Sequence, residues 1–234
     1  MNSLLREYAS KINIDISDEV AEKFKKYKDI LLVWNEKMNL TAITDENEIV
    51  IKHFIDSLTI EKYIPQNAKL IDVGTGAGFP GIPLKIARDD LEIVLLDSLQ
   101  KRVNFLNEVI NECELKNISA VHGRAEDFGQ DKKYRENFDI VTARAVANLA
   151  TLTELCIPFI KVGGIFVCMK GDASEEIKNA AKAIKELGMK KEKIDTFKLV
   201  GNDAVRTIIV YKKEKSTPSK YPRKAGVPSK NPII

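Results

Sequence analysis

Four glycines, at positions 74, 76, 78 and 81, follow a short apolar run that ends in Asp72, in the stretch LIDVGTGAGFPG from Leu70 to Gly81. Glycine has no Cβ, so such a stretch can turn tightly and let a ligand lie against the backbone. A second apolar run, LEIVLLD, ends in Asp97, 23 positions beyond Gly74. At that spacing a carboxylate can accept hydrogen bonds from both hydroxyls of a ribose. Turn, preceding strand and spaced acid together point to an adenosine-bearing ligand, with Gly74 and Gly76 under it and Asp97 on its sugar. Asp72 suits the amine side of such a ligand, or else binds the amides of its own turn.

A set of strands must bring these residues together. Beyond Pro65 the sequence alternates: strand 68–73, helix 80–88, strand 91–97, helix 99–112, strand 117–122, strand 138–144, helix 146–160, a Gly163-Gly164 turn, strand 165–170 and helix 173–187. This is the pattern of a parallel, doubly wound α/β sheet. Ligands bind beyond the carboxyl ends of such strands, so the residues to inspect are Asp72 and Gly74, Asp97, the segment Gly123 to Asp127, Arg144 and Lys170. A sulfonium cofactor such as S-adenosylmethionine carries a positive sulfur, an ammonium, a carboxylate and an adenosine, and this mixed set of charges suits it. Glu126, or the backbone of Ala125 and Glu126, can meet an adenine edge, unless Glu126 only caps the helix after it. Arg144 can pair with a carboxylate or a substrate phosphate, or instead with Asp127. Lys170 is a candidate substrate contact, the alternative being an exposed strand-end lysine. Two final strands, 193–200 and 205–211, are joined by Gly201-Asn202-Asp203-Ala204, a connection short enough only for an antiparallel hairpin. A parallel sheet closed by a hairpin resembles the class I, Rossmann-like methyltransferase fold more than a nicotinamide-dependent dehydrogenase.

Ahead of the sheet, residues 1–64 read as an acidic helical cap. A helix begins at Ser17 with apolar residues at Val20, Phe24, Tyr27 and Trp34, and a second runs from Glu46 to Tyr63 and stops before Pro65. The net charge is +3, but residues 1–64 carry −3, residues 65–211 zero and residues 212–234 +6. The last segment, 213–234, therefore reads as a basic tail that follows a polyanion, with Tyr221, Arg223 and Lys224 contacting nucleic acid. Cys113, Cys156 and Cys168 lack metal-ligand spacing and read as reduced, buried side chains. Cys156 has no neighbour that would activate it as a nucleophile. His53 and Asp56 share a helix face, but a lone histidine is more often a packing residue than a base, and no residue stands out as catalytic. Neither a membrane-length apolar run nor a secretory leader is present, and a cytoplasmic protein working without metal or membrane is expected.

WNEKMNLTAI, HFIDSL, IDVGTGAGFPGIPLKI, LLDSLQKRVNFL, GRAEDFG, DIVTARAVANL and YPRKAGVPSKNP, spread from Trp34 to Pro232, resemble the motifs of the bacterial ribosomal RNA small subunit methyltransferase G family, also called glucose-inhibited division protein B. The resemblance implies methyl transfer from S-adenosylmethionine to N7 of one guanine in 16S ribosomal RNA of the small ribosomal subunit. By motif match it places cofactor contacts at Gly74, Phe79, Ala125, Glu126 and Arg144. Guanine N7 has a free lone pair and needs no general base, which agrees with Ala143-Arg144-Ala145 standing where amino-group methyltransferases carry an Asp/Asn-Pro-Pro-aromatic segment. The competing readings are a non-catalytic RNA assembly factor that retains the cofactor, and the dehydrogenase.

Overall fold

The computed structural model describes residues 1–144 and 147–234; Ala145 and Val146, the second of which opens the helix expected over 146–160, lie outside the described residues. Two helices, α1 (Asn2–Ser10) and α2 (Asp18–Asn35), open the chain. Ser17 caps α2 by accepting from the Val20 amide. Next come α3 (Glu46–Ile49), a π-helical turn (Val50–Ile55) and α4 (Asp56–Leu58), where periodicity predicted a single helix. Residues 53–60 are buried all round, so the segment carries no one-sided apolar stripe whose displacement would reveal the π turn. Alternation follows: β1 (Lys69–Val73), α5 (Gly81–Ala87), β2 (Glu92–Asp97), α6 (Gln100–Glu112), β3 (Ile118–His122), α7 (Ala125–Phe128), β4 (Phe138–Arg144), α8 (Leu149–Cys156) and β5 (Ile160–Lys170). The Gly163-Gly164 turn is absorbed into β5, which has an irregular register against β4 near Phe138. Two short helices, α9 (Ser174–Asn179) and α10 (Ala181–Glu186), replace the expected helix 173–187, and β6 (Met189–Lys198) and β7 (Val205–Lys213) form the hairpin.

The sheet order is β3-β2-β1-β4-β5-β7-β6. β1 to β5 are parallel, and β7 enters antiparallel between β5 and β6. The order reverses between β1 and β4, and their carboxyl ends diverge there to open a crevice. Because β7 runs the opposite way, its first residues arrive at this same edge, with Thr207 opposite Lys170.

Each face of the sheet has its own core. One joins Leu5, Phe24, Tyr27, Leu31 and Phe54 of the N-terminal helices to Ile82, Phe105, Ile93, Val167 and Ile208. The helices of residues 1–64 thus form one side of the sheet's sandwich rather than a lid above it. The other core gathers Leu149, Leu152, Phe159, Phe166 and Ile184. Residues 213–234, expected as a tail that buries nothing, contribute to it: Tyr221 and Ile233 are 5% and 7% exposed, and α11 (Val227–Lys230) lies beside α8. Among the described residues no helix is long and apolar enough to cross a membrane.

Phe24 packs on Phe54 with ring centroids 4.9 Å apart and is fully buried. Phe24→Ala is expected to cost about 3 to 5 kcal/mol and to lower the urea midpoint of helix and aromatic circular-dichroism signals together. Two separate transitions, with only one shifted, would contradict a shared core.

Candidate active site

Three clefts run in series along the carboxyl edge of the parallel strands. The inner one, ≈ 220 Å³, is lined by Val73, Gly74, Leu96, Ser98 and Gly123 to Glu126, with Leu155 as its floor. A middle cleft of ≈ 350 Å³ shares Gly74 and Ser98 with it and adds Thr41, Gly76, Phe79, Asp97, Arg102 and Arg144. The outer cleft, ≈ 460 Å³, shares His53 and Arg144 with the middle one and is otherwise lined by Ile43, Lys52, Asp56, Met169, Lys170, Gly171 and Arg206. Shared residues make this one continuous groove.

The glycine turn shapes the middle of the groove. Gly76 has φ +61° and lines the cleft, so a side chain there would be both strained and in a ligand's way. Gly81 lets α5 sit on the end of β1 and β2: an added Cβ would lie 2.3 Å from Leu95 Cδ2 and 3.0 Å from Asp72 Oδ2. Asp72 Oδ2 accepts from the Thr75 hydroxyl at 2.7 Å and the Gly81 amide at 2.9 Å, whereas its buried Oδ1 has no partner. Burial pushes this carboxyl up to about 6, against the pull of those two hydrogen bonds. Asp97 Oδ2 accepts from the Gly76 amide and Oδ1 from the Leu99 amide, both at 2.9 Å. Arg102 Nη1 also reaches Oδ2, at 3.5 Å, so it is Oδ1 that retains a lone pair for a ligand hydroxyl.

Between the middle and outer clefts stands a layered wall. The His53 ring stacks on Phe79 at 4.4 Å, and the Arg144 guanidinium lies 4.7 Å from the same ring. Arg144 donates to Asp56 Oδ2 at 3.2 Å and to the Lys52 carbonyl at 3.1 Å, while Arg206 Nε donates to Asp56 Oδ1 at 2.7 Å. Burial first, and then the Arg144 charge, push His53 down to about 3. Both ring nitrogens are engaged: Nε2 lies 2.8 Å from the Thr41 hydroxyl, and Nδ1 lies 3.1 Å from the Lys52 carbonyl and 3.3 Å from Arg144 Nη2.

The structure thus gathers Gly74, Gly76, Phe79, Asp97, Ala125, Glu126, Arg144 and Lys170 at one edge. Arg144 pairs with Asp56 rather than Asp127. Lys170, far from an exposed strand-end lysine, is mostly covered, bridging Glu176 at 2.9 Å and donating to the Ala147 carbonyl. Tyr221 and Arg223 require correction. Tyr221 is buried with its hydroxyl on Glu186, and Arg223 grips the buried Glu154 carboxylate through Nε and Nη2, so neither ring nor guanidinium is free for RNA. Lys224 is exposed on the same segment, away from the groove's lining. Burial pushes the Cys113 thiol up to about 11, Cys168 to about 12 and Cys156 well above its ordinary value, which suits inert packing. Sequence reasoning missed Thr41, Lys52, Ser98, Arg102 and Arg206. Arg206 was within reach, since a hairpin strand returning beside β5 must start at the carboxyl edge.

The reversed sheet order and its closing antiparallel strand define the class I, Rossmann-like methyltransferase fold. The same fold is shared with a solved S-adenosylmethionine-dependent methyltransferase from Aquifex aeolicus (TM-score 0.53, 14% identity, covering 77% of this chain and 97% of that one). It is equally shared with the [4+2]-cyclase SpnF (TM-score 0.58, 12% identity, 86% and 98%), so fold alone does not fix the reaction. The family model described as rRNA small subunit methyltransferase G matches residues 20–205, and the chain belongs to that family. Proteins named ribosomal RNA small subunit methyltransferase G are 56% identical in Acetivibrio thermocellus, over 100% of this chain and 97% of that protein, and 54% identical in Alkaliphilus oremlandii, over 100% and 99%.

The buried pair His53 and Asp72 sets opposing pH dependences. The unfolded chain protonates His53 below about 6.5 and the native site only near 3, so this group's stability, present above 6.5, is lost as pH falls through that window. Asp72, raised from 3.8 to about 6, acts in the other direction: its share is complete below 3.8 and is lost as pH rises to about 6. His53→Gln should leave Asp72 alone to act, so thermal melts at pH 7 and pH 5 should show a smaller loss on acidification than wild type, by up to about 1.4 kcal/mol per pH unit. An equal loss in both proteins would contradict a neutral His53.

Proposed function

We propose that this protein transfers a methyl group from S-adenosylmethionine to N7 of a guanine in 16S ribosomal RNA of the small ribosomal subunit, and so works in the cytoplasm. The inner cleft takes the adenine beside Ala125 and Glu126. The middle cleft takes ribose and amino-acid portions over Gly74, Gly76 and Phe79, with Asp97 accepting from the sugar and Arg144 beside the carboxylate. Residues and ligand fit: a side-chain-free Gly76 and a carboxylate at the end of β2 line the cleft that the sugar would enter, while the fully buried Asp72 lies behind it and lines none of the three clefts. When bound, the cofactor supplies an electrophilic methyl group on a cationic sulfur.

The observation that carries the reaction class is the state of the wall. His53 is neutral with both ring nitrogens engaged, and both oxygens of Asp56 are held by arginines. Neither can accept a proton from a substrate without breaking those contacts. Guanine N7 presents a lone pair and asks for no such step, whereas an exocyclic amine must shed a proton. The side chains therefore act by holding the nucleophile in line and excluding water, through the stacked ring surfaces of Phe79 and His53.

Lys52, Lys170 and Arg206 line the outer cleft and make it cationic on the RNA side. In A-form RNA the edge carrying N7 lies in a groove too deep and narrow to be read, so the target guanine must be unstacked or in a loop to enter.

Incubating the protein with isotope-labelled cofactor and unmodified small subunits should put label into N7-methylguanosine at one site; label in another nucleoside, or none with cofactor bound, would refute the assignment. The rate at saturating substrates should be flat from about pH 6.5 to 9, since no base must lose a proton; a limb in that range would indicate one. Lys52→Met removes a charge that lines the outer cleft and, among the described residues, pairs only with the half-exposed Glu48, and it should raise the KM for the subunit about 10-fold or more. The cofactor KM should stay close to wild type, and a change confined to the cofactor would place Lys52 on the wrong side of the junction.

A further inference from the structure

The last 22 residues were legible as cations and prolines, but the structure spends their polar groups on the protein itself. Arg135 donates to the carbonyls of Thr217 and Tyr221, at 2.8 and 2.6 Å, and also to Gly129 at 2.8 Å, tying the segment to the end of α7. Gln130 donates to the Pro222 carbonyl at 2.9 Å. Gly129 must be glycine for this approach, since a Cβ there would lie 2.8 Å from Pro222 Cγ. Arg223 then holds Glu154, whose side chain is 1% exposed, with two guanidinium nitrogens and its own amide. Three residues on, the Gly226 amide donates to Glu126 Oε1 at 3.1 Å, and the Thr151 hydroxyl donates to the Pro228 carbonyl at 3.2 Å.

These anchor points converge on one place. Glu126 lies in α7 and lines the inner cleft; Glu154 lies in α8 next to Leu155, which lines the same cleft. Without the segment, the Glu154 carboxylate would be buried and unpaired, and Glu126 would lose the donor that fixes its carboxylate.

We propose that residues 213–234 are a strap that positions α7 and α8 around the adenine, with Arg223 as a positioning residue acting through Glu154. The strap serves the cofactor rather than the RNA, and it rests on the cofactor placement given above. Binding is reciprocal: if the strap holds the cleft in shape, a ligand in the cleft must also hold the strap.

Two measurements on the full chain test this with S-adenosylhomocysteine as the probe. First, hydrogen exchange at the amides of Arg223 and Gly226 should slow when the probe saturates wild type; unchanged exchange would overturn the strap. Second, the double variant Glu154→Gln/Arg223→Met keeps the volume and removes the charges. It should bind the probe about 10-fold more weakly and raise the KM for S-adenosylmethionine with little change in kcat or in affinity for small subunits. Arg223→Lys, which keeps a charged donor for Glu154, should recover much of the loss. Wild-type probe affinity in a folded double variant, or a loss confined to subunit binding, would overturn the proposal and return the segment to the role of an RNA arm. Failure of wild type to bind the probe at all would instead overturn the cofactor placement.

Discussion

Asp56 is a carboxylate at 3% exposure shared by two arginines, Arg144 at the end of β4 and Arg206 at the start of β7. A lone carboxylate at that depth would be several kcal/mol out of place, and removing one partner of such a group typically costs about 3 to 5 kcal/mol. Asp56 therefore fixes where three distant pieces of chain must meet: the helical segment before the sheet, the fourth parallel strand and the reversed strand β7. The π turn feeding Asp56 puts Lys52 and His53 on the same side, and Arg144, so held, covers the face of Phe79. The groove's division into a cofactor side and a nucleotide side follows from this one triad.

The triad also explains why the wall is chemically quiet. Burial first, and then the Arg144 charge, keep His53 uncharged, and each Asp56 oxygen is held by an arginine. A histidine and an aspartate lining one cleft would ordinarily invite an acid-base reading. Here their mutual contacts use them as structure, and what remains for catalysis is alignment and the exclusion of water.

Much of the sheet was legible in the sequence because the parallel strands are short apolar runs, and the glycine turn with Asp97 marks the cofactor edge by spacing alone. β4 matches its expected bounds, and the hairpin was foreseen from a loop too short for a crossover. Three things were not legible. The π turn lies in a segment buried almost all round, so apolar spacing does not reveal it. The partnership of Asp56 with Arg206 spans 150 positions, and no local pattern encodes a contact that only the sheet order creates. The final segment looked like a solvated polycation because its composition is basic. Its destination is set by Glu154, Glu126 and Glu186, acids that a reading of the tail alone does not see.

The central claim is that the His53–Phe79–Arg144 layer marks the junction of the two clefts, where the methyl end of the cofactor and the nucleotide meet. A crystal structure of the protein soaked with S-adenosylhomocysteine tests it most directly. The account predicts adenine between Ala125 and Leu155, the ribose against Asp97, and the sulfur end at the Phe79 side of the wall, with the cleft lined by Lys52, Lys170 and Arg206 left open. Density for the ligand in that outer cleft, beyond Arg144, would contradict it.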